Sequence, residues 1–174
     1  MAKYIIDQTH SDISFKVKYM MISSVEGCFN NYEASLISSK EDLSDAAFEC
    51  EIDVSSLYTG NVDRDTHLIS SEFLSSESFP AVIFKSTNTK IVDGEYIVDG
   101  SLQIKEHSRS ATLRGKYLGV VVDSCGQEKY CFELKGSIKR FSWFLDFVIT
   151  SSKTVLVDNN IELNLDLQFL KAED

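Results

Sequence analysis

Residues 161–169 read IELNLDLQF, so that every second residue of the stretch is apolar. Successive side chains of a β-strand point to opposite faces of the sheet, and the alternation therefore predicts a strand with one apolar and one polar face. Such strands are typical of antiparallel sheets, in which one face packs on the core and the other meets water. We therefore expect an antiparallel sheet protein.

The same alternation recurs upstream along almost the whole chain. It covers residues 12–21, where it ends with Tyr19 and Met21, and it returns at residues 48–54 and 96–104. Each of these stretches predicts a further half-buried strand.

Turn residues separate the predicted strands. Asp93-Gly94 lies between two apolar runs, Cys125-Gly126 lies in a polar break, and Asp158-Asn159-Asn160 precedes the last strand. Glycine, asparagine and aspartate tolerate the backbone conformations that tight hairpin turns require. Consecutive hairpins predict an up-and-down meander.

One segment, from residue 61 to about residue 74, departs from the alternation and predicts a short helix. Asn61 can cap its first turn, and Asp63 and Asp65 lie in that turn, where the helix dipole favours acidic side chains. The residues at helical spacing are Val62, Thr66, Ile69 and Phe73.

A sheet of this many one-sided strands must pack against a second sheet or close into a barrel, and closure also removes exposed edges. Periodicity alone does not choose between the two. Glycines in or beside the strands favour the barrel, because they permit the sharp bends that closure requires. These glycines are Gly27, Gly100, Gly115, Gly119 and Gly136. We predict an all-β fold, a single antiparallel up-and-down β-barrel domain spanning residues 1–174.

The charge and the N-terminus restrict partners and location. The net charge is −10 and the chain has no basic stripe, so we expect no nucleic-acid partner. The same charge disfavours anionic membranes, and no stretch reaches the length of a membrane span, so we expect no stable membrane insertion. Residues 1–7 lack the apolar run of a secretory signal. They predict a cytoplasmic protein, or a periplasmic or secreted one if a signal peptide has been removed.

The cysteines and histidines offer no metal site. His10, His67 and His107 are far apart in sequence and lack the paired spacing of a zinc site. The cysteines follow no metal-ligand spacing either, and we expect them to be small buried residues without disulfides. They are Cys28, Cys50, Cys125 and Cys131.

The densest polar cluster is Arg64-Asp65-Thr66-His67, on the predicted helix. In one interpretation, Arg64 and Asp65 cap, pair and anchor the helix over one mouth of the barrel. In the other, Arg64 or His67 contacts a polar head group at the entrance of the lumen.

A resemblance to a known family rests on motifs that run in order along the chain. The most specific block is the segment Arg64-Asp65-x-His67-Leu68, between a strand ending at Ile52-Asp53 and a strand start at Phe79-Pro80. The matches begin with Ile6-Asp7, His10-Ser11 and Gly27, and the specific block leads into Ile83-Phe84. Weaker matches are Gly100, Arg140-Phe141 and Val157-Asp158. In these motifs the chain resembles the YceI-like family, the lipocalin-like polyisoprenoid-binding proteins.

The resemblance implies a barrel of about eight strands with an elongated apolar lumen, closed in part by the helix region. It also implies a bound isoprenoid or other amphiphile and a homodimer. The sequence departs from the family pattern at Tyr19, Glu106 and Ser142-Trp143. Trp143 in particular can narrow the lumen or plug one end, which predicts a shorter or different ligand.

Simple energetics support lipid binding. One buried isoprene unit contributes up to about 4 kcal/mol, at about 0.8 kcal/mol for each methylene. Several units therefore offset an association cost of about 4 to 15 kcal/mol and reach micromolar affinity. The candidate ligand-binding residues are Phe15, Val17, Phe29, Arg64, His67, Phe84, Val98, Leu102, Phe132 and Leu165.

The sequence thus predicts non-catalytic binding of a long apolar amphiphile, such as a polyisoprenoid, an isoprenoid quinone or a fatty acyl lipid, without another cofactor. Two alternatives stay open. One is a lipid-modifying enzyme in which His10, Arg64, Asp65 and His67 converge at one mouth. The other is a barrel filled by large aromatic side chains, serving as a structural or stress protein without a ligand.

Overall fold

The computed structural model describes residues 1–19, 22–145 and 157–173. Met21, which the alternation places in the first long strand, lies outside these residues. The strands are β1 (Ala2–Ile6), β2 (Asp12–Tyr19), β3 (Ser23–Phe29), β4 (Tyr32–Ser38), β5 (Ala47–Asp53), β6 (Leu57–Tyr58), β7 (Ala81–Val92), β8 (Glu95–Ile104), β9 (His107–Val122), β10 (Glu128–Lys139) and β11 (Val157–Lys171). Helix α1 spans Val62–Ile69, and 3₁₀ turns cover Gln8–His10, Val54–Ser56 and Arg140–Trp143.

Eight of the strands close into an antiparallel barrel. They follow one another in the order β1, β4, β5, β7, β8, β9, β10 and β11, and β11 pairs with β1 to complete the ring. The predicted fold class, an antiparallel β-barrel with one short helix, is confirmed.

The other three strands, β2, β3 and β6, extend the ring. β11 pairs with β1 near its end at Lys171 and with β2 nearer its start, so β1 and β2 are two parts of one bent strand. β3 and β4 are related in the same way, and so are β5 and β6. When each interrupted pair is counted as one strand, neighbours in the barrel are also neighbours in the chain. This is the predicted up-and-down order.

The two ends of the barrel differ. The turn at Asp93-Gly94, the loop 123–127 and the loop between β4 and β5 lie at one end, which we call the base. Helix α1, the turn between β8 and β9, and the 3₁₀ turn Arg140–Trp143 lie at the other end, which we call the mouth. Two clusters of buried hydrophobic side chains fill the interior, one toward each end.

Specific backbone positions allow the strands to bend and turn. Asp93 and Gly94 have φ values of 52° and 80°, which suit a tight two-residue hairpin, and the predicted turn is confirmed. Gly119 has a φ of 95° and lies where the register of β9 against β10 shifts, which marks a bulge. A Cβ on Gly115 would lie 1.9 Å from the carbonyl oxygen of Glu133, so β9 and β10 approach too closely there for any side chain.

The helix is shorter than the predicted segment of residues 61–74, because it ends at Ile69. The backbone of Ser70 is extended, with a ψ of 169°, and both its N–H and its hydroxyl donate to the carbonyl of His67. The predicted residues at helical spacing are confirmed only in part, because Phe73 is buried and Ile69 packs against the same buried cluster. Val62 is 80% exposed, and Leu68 is the buried residue of the helix.

Two further sequence predictions were wrong. Residues 158–160 form part of β11 rather than a turn, because the Arg140 guanidinium binds the carbonyls of Val157 and Asp158 and holds this segment against the end of β10. Cys125 is exposed in the loop at the base. Cys131 is buried, Cys28 and Cys50 are partly buried, and all four cysteines are free thiols.

In the part of the chain that the structure describes, no helix has the length and apolar character needed to cross a membrane.

Candidate functional site

A cavity of about 190 Å³ lies in the barrel between the two buried clusters. Inward-facing side chains of the strands line it, because alternate residues of each strand share the inner face. The filled-barrel hypothesis requires a lumen that is packed solid from end to end, and the cavity shows that this lumen is not. The lining residues include Phe15, Phe29, Phe84, Val98, Leu102 and Leu165.

Among the residues that the structure describes, the wall of the cavity presents no polar side-chain group to the lumen. Ser14 and Glu49 are the non-hydrophobic lining residues. The Ser14 hydroxyl donates to the carbonyl of Asn164 at 3.3 Å. The Glu49 carboxylate lies 3.9 Å from the Lys85 ammonium on a side chain that is 66% exposed, and so faces solvent. A cavity of this kind excludes water and favours apolar guests.

Hydrophobic side chains that do not come from the barrel strands border the cavity at the mouth. Leu68, Phe73 and Leu74 reach the cavity from α1 and the turns after it, and Leu145 reaches it from the segment after the 3₁₀ turn. Trp143 is 3% exposed, and its indole N–H donates to the carbonyl of Leu102 at 3.0 Å.

Arg140 fixes the segment that carries Trp143 and Leu145. Its guanidinium is buried and donates to the carbonyls of Leu145 at 2.7 Å and of Val157 and Asp158 at 2.9 Å. Charge-assisted hydrogen bonds of this kind hold a chain segment strongly. The mouth on this side is therefore a preformed wall.

Aromatic rings close the cavity toward the base. Phe48 and Phe169 line the cavity floor, and Phe132 packs edge to face against both, with ring centroids 5.4 Å and 6.2 Å away. Tyr96 and Tyr117 contact Phe132 as well, at 5.9 Å and 4.9 Å. Phe132 is thus the centre of an aromatic plug.

The helix is tied to the barrel by a polar network around Thr59. The Arg64 guanidinium donates to the Thr59 hydroxyl at 2.7 Å and to its carbonyl at 2.8 Å. The Asp65 carboxylate accepts from the Thr59 N–H at 3.0 Å and from its hydroxyl. These contacts correspond to the structural interpretation of the cluster, in which Arg64 and Asp65 anchor the helix.

The family profile of the YceI-like domain matches residues 4–169. The chain belongs to the YceI-like family. The resemblance predicted from the sequence motifs is confirmed.

Two kinds of comparison place this YceI-like chain among its relatives. A UPF0312 protein of Staphylococcus epidermidis is 31% identical over 171 residues, which cover 97% of this chain and 98% of the relative. The crystal structure of BcnA from Burkholderia cenocepacia has a TM-score of 0.80 at 20% identity, over 94% of this chain and 98% of that one. A polyisoprenoid binding domain from Saccharophagus degradans has a TM-score of 0.69 at 12% identity, over 97% and 98% of the two chains. At these identities the two structures show a shared fold.

The predicted ligand-binding residues of this YceI-like barrel divide into two groups. Six lie on the cavity wall: Phe15, Phe29, Phe84, Val98, Leu102 and Leu165. The other four, Val17, Arg64, His67 and Phe132, are not among the lining residues. The sequence analysis missed Leu68, Leu74 and Leu145, because no period-two alternation marks a lining residue outside a strand.

The four residues off the wall have other surroundings. Val17 pairs with Val25 and Ile161 toward the mouth. Phe132 is the plug, 2% exposed. The ring of His67 lies 2.9 Å from the Glu72 carboxylate on a half-exposed side chain.

The enzyme hypothesis requires His10 to join Arg64, Asp65 and His67 of α1 at the mouth, and His10 does not join them. His10 contacts the Asp7 carboxylate at 2.8 Å, beside the Lys129 ammonium on β10. Arg64 and Asp65 contact Thr59 instead. Residues 1–19, 22–145 and 157–173 contain no group of three His, Cys, Asp or Glu side chains suited to a metal ion.

Cys50 lines the cavity but supplies no reactive thiolate. Burial, with a smaller contribution from the nearby Glu51 carboxylate, raises the pKa of its thiol to about 12. A thiol with such a pKa stays protonated at neutral pH, and the thiolate is the nucleophilic form. The wall therefore remains uncharged.

Proposed function

We propose that this YceI-like chain binds a long apolar amphiphile without catalysing a reaction, and that the hydrocarbon end of the ligand occupies the barrel cavity. The observation that carries the proposal is a cavity of about 190 Å³ whose wall, as far as the structure describes the chain, presents no polar side-chain group. Hydrocarbon surface is stabilised in such a site by about 25 cal/mol for each Å² removed from water. The Saccharophagus degradans relative of the same fold is itself described as a polyisoprenoid binding domain.

The polar cluster on α1 supports a carrier, store or sensor rather than an enzyme. General acid-base or nucleophilic catalysis needs groups within hydrogen-bond reach of the substrate. Arg64 and Asp65 already bond Thr59, and His67 faces Glu72. We expect His67→Ala to leave the amount of bound lipid unchanged. A lipid whose chemical turnover stops in that variant, with binding intact, would instead support the enzyme hypothesis.

The direct test is to purify the protein without detergent, extract it with organic solvent and analyse the extract by mass spectrometry. Stoichiometric recovery of an isoprenoid, a quinone or a fatty acyl lipid is the expected result. Ala111→Phe places a ring in the cavity, because Ala111 lines it, and should reduce recovery at least about tenfold. Ser110→Phe is the matched control, since Ser110 is the exposed neighbour on the same strand. Equal lipid content in both variants contradicts lumen binding.

We also propose that two copies associate through the free edge of β9. β8 covers β9 only as far as Gly115, and residues 116–122 pair with β10 on their other side. Leu118, Val121 and Val122 are 56 to 61% exposed on this edge. An exposed apolar strand edge is a template for pairing with another chain.

A two-fold axis through this edge pairs the two copies antiparallel, so that the exposed apolar side chains of one copy face those of the other. Light scattering coupled to size exclusion should report a dimer, and Val121→Lys should shift it to monomer. A wild-type monomer at high micromolar concentration contradicts the proposal.

A further inference from the structure

The plug at the base makes the cavity a blind one. Phe48 and Phe169 form its floor, and Phe132 supports both rings from the base side. Phe132 and Phe169 are 2% and 0% exposed, so no channel passes between these rings toward the base. A ligand that enters from the mouth must end at this floor.

The size of the cavity limits the part of a ligand that it can enclose. An engineered apolar protein cavity of about 150 Å³ holds one benzene ring. By that comparison, the present cavity of about 190 Å³ encloses about six to ten carbon atoms. This is the length of one or two isoprene units.

The described side chains of the cavity wall offer no hydrogen-bond partner to a polar group of the ligand. Ser14 and Glu49, the polar lining residues in the described part of the chain, direct their groups away from the lumen, and the thiol of Cys50 is neutral because burial raises its pKa. A head group therefore gains nothing by entering and would lose its hydration. It stays on the mouth side.

From these three observations we infer that the barrel recognises only the terminal hydrocarbon segment of its ligand, about six to ten carbons long, and that Phe132 sets this limit by supporting the floor. The inference rests on the proposed function. It deepens that function by naming what is recognised: an unsubstituted apolar chain end, whatever head group follows it.

The test is a titration series of unbranched carboxylates with about six to sixteen carbons, each kept below its micelle concentration, on delipidated full-length protein. Within the limit, each added methylene should tighten Kd by up to about fourfold. Beyond about ten carbons, each further methylene should change Kd by less than about twofold. A Kd that continues to fall about fourfold per carbon through the longest chain overturns the length limit and leaves lipid binding intact.

Variants then locate the limit. We call the chain length beyond which Kd stops falling the break in the series. Phe132→Ala removes the support of the floor, and the break should move to chains longer by about two carbons or more. Phe132→Leu is the milder variant and should move the break in the same direction if the alanine variant does not fold. Tyr4→Leu is the matched control, because Tyr4 belongs to the same buried cluster but packs edge to face against Tyr130 and does not line the cavity.

The remaining outcomes are distinct. A break that stays in place in both Phe132 variants overturns the role of Phe132. A break that moves equally in Tyr4→Leu also overturns the role of Phe132, because general loosening of the base would then explain the shift. Absence of binding at every chain length, with no lipid recovered by extraction, overturns the proposed function itself.

Discussion

Lys129 and Asp7 form a buried ion pair that ties the start of β10 to the N-terminal strand. The Lys129 side chain is 6% exposed and the Asp7 side chain 12%, and the Asp123 carboxylate lies 3.7 Å from the same ammonium. Burial alone would raise the pKa of Asp7. The hydrogen bonds from Lys129 and His10 outweigh it and hold this pKa below its ordinary value of 3.8.

The Asp7 pair predicts a pH-dependent stability. A carboxyl whose pKa is lowered by folding stabilises the protein above its unfolded pKa, and this contribution is lost as the pH falls through the folded pKa. We expect Asp7→Asn to be less stable than wild type at pH 7. The difference in unfolding free energy should shrink as the pH falls below about 4.

Denaturant unfolding at several pH values measures this difference. Glu26→Gln is the control, because the Lys16–Glu26 pair spans 3.6 Å between exposed side chains and should contribute little at any pH. A constant difference between Asp7→Asn and wild type from pH 7 to pH 3 contradicts the role of the charge.

The cysteines provide a second prediction at the residue scale. Cys125 is exposed, whereas burial raises the pKa of Cys50 to about 12. Because the thiolate is the nucleophile, a thiol reagent at pH 8 should modify Cys125 at least about tenfold faster than Cys50. Labelling followed by peptide mass spectrometry gives the two rates. Cys125→Ser should remove the fast phase, and a fast phase that persists on Cys50 would show that the cavity is open to reagent.

At the scale of elements, helix α1 depends on its first turn. The side-chain carbonyl of Asn61 accepts from the Arg64 N–H at 3.0 Å, and the backbone carbonyl of Asn61 accepts from the Asp65 N–H. Asn61→Ala should lower the unfolding free energy by about 1 kcal/mol, the usual value for a lost N-cap. Asn61→Asp keeps the cap and should retain most of the stability. Thermal or denaturant unfolding measures both, and equal loss in the two variants contradicts the capping role.

The strands were the most predictable elements. In residues 161–169 one face of the strand meets the core and the other meets water, so the alternation of apolar and polar residues predicts the strand directly. The end of α1 was not predictable, because it depends on the hydroxyl and N–H of Ser70 both turning back to one carbonyl. The strand at residues 158–160 depends on Arg140, which is distant in sequence.

At the scale of the whole molecule, a lipid that binds only the folded state should stabilise the barrel. Ligand at about one hundred times Kd adds about 2.7 kcal/mol. For a chain of this size that corresponds to a rise in Tm of about 5 to 10 °C. Delipidated protein, with and without a ten-carbon carboxylate, provides the comparison by calorimetry.

The control for this stabilisation is Ala111→Phe, in which a ring occupies the cavity. Its Tm should not respond to the carboxylate. An equal rise in that variant would show that the ligand binds outside the lumen.

The amino-acid sequence by itself determined most of the strands, the hairpin at Asp93-Gly94 and the family, because alternation, turn residues and ordered motifs are local properties of the chain. The barrel was predicted from the glycines and from the family resemblance, since alternation does not distinguish a barrel from a sandwich. The sequence also identified six residues that lie on the cavity wall. Only the tertiary structure decided that Phe132 is a plug, that Arg64 bonds Thr59 and that Leu68, Leu74 and Leu145 line the cavity at the mouth. The physical reason is that alternation tells which face of a strand is buried but not how far along the barrel axis a side chain lies. That position decides whether an inward residue borders empty space or packs against another ring.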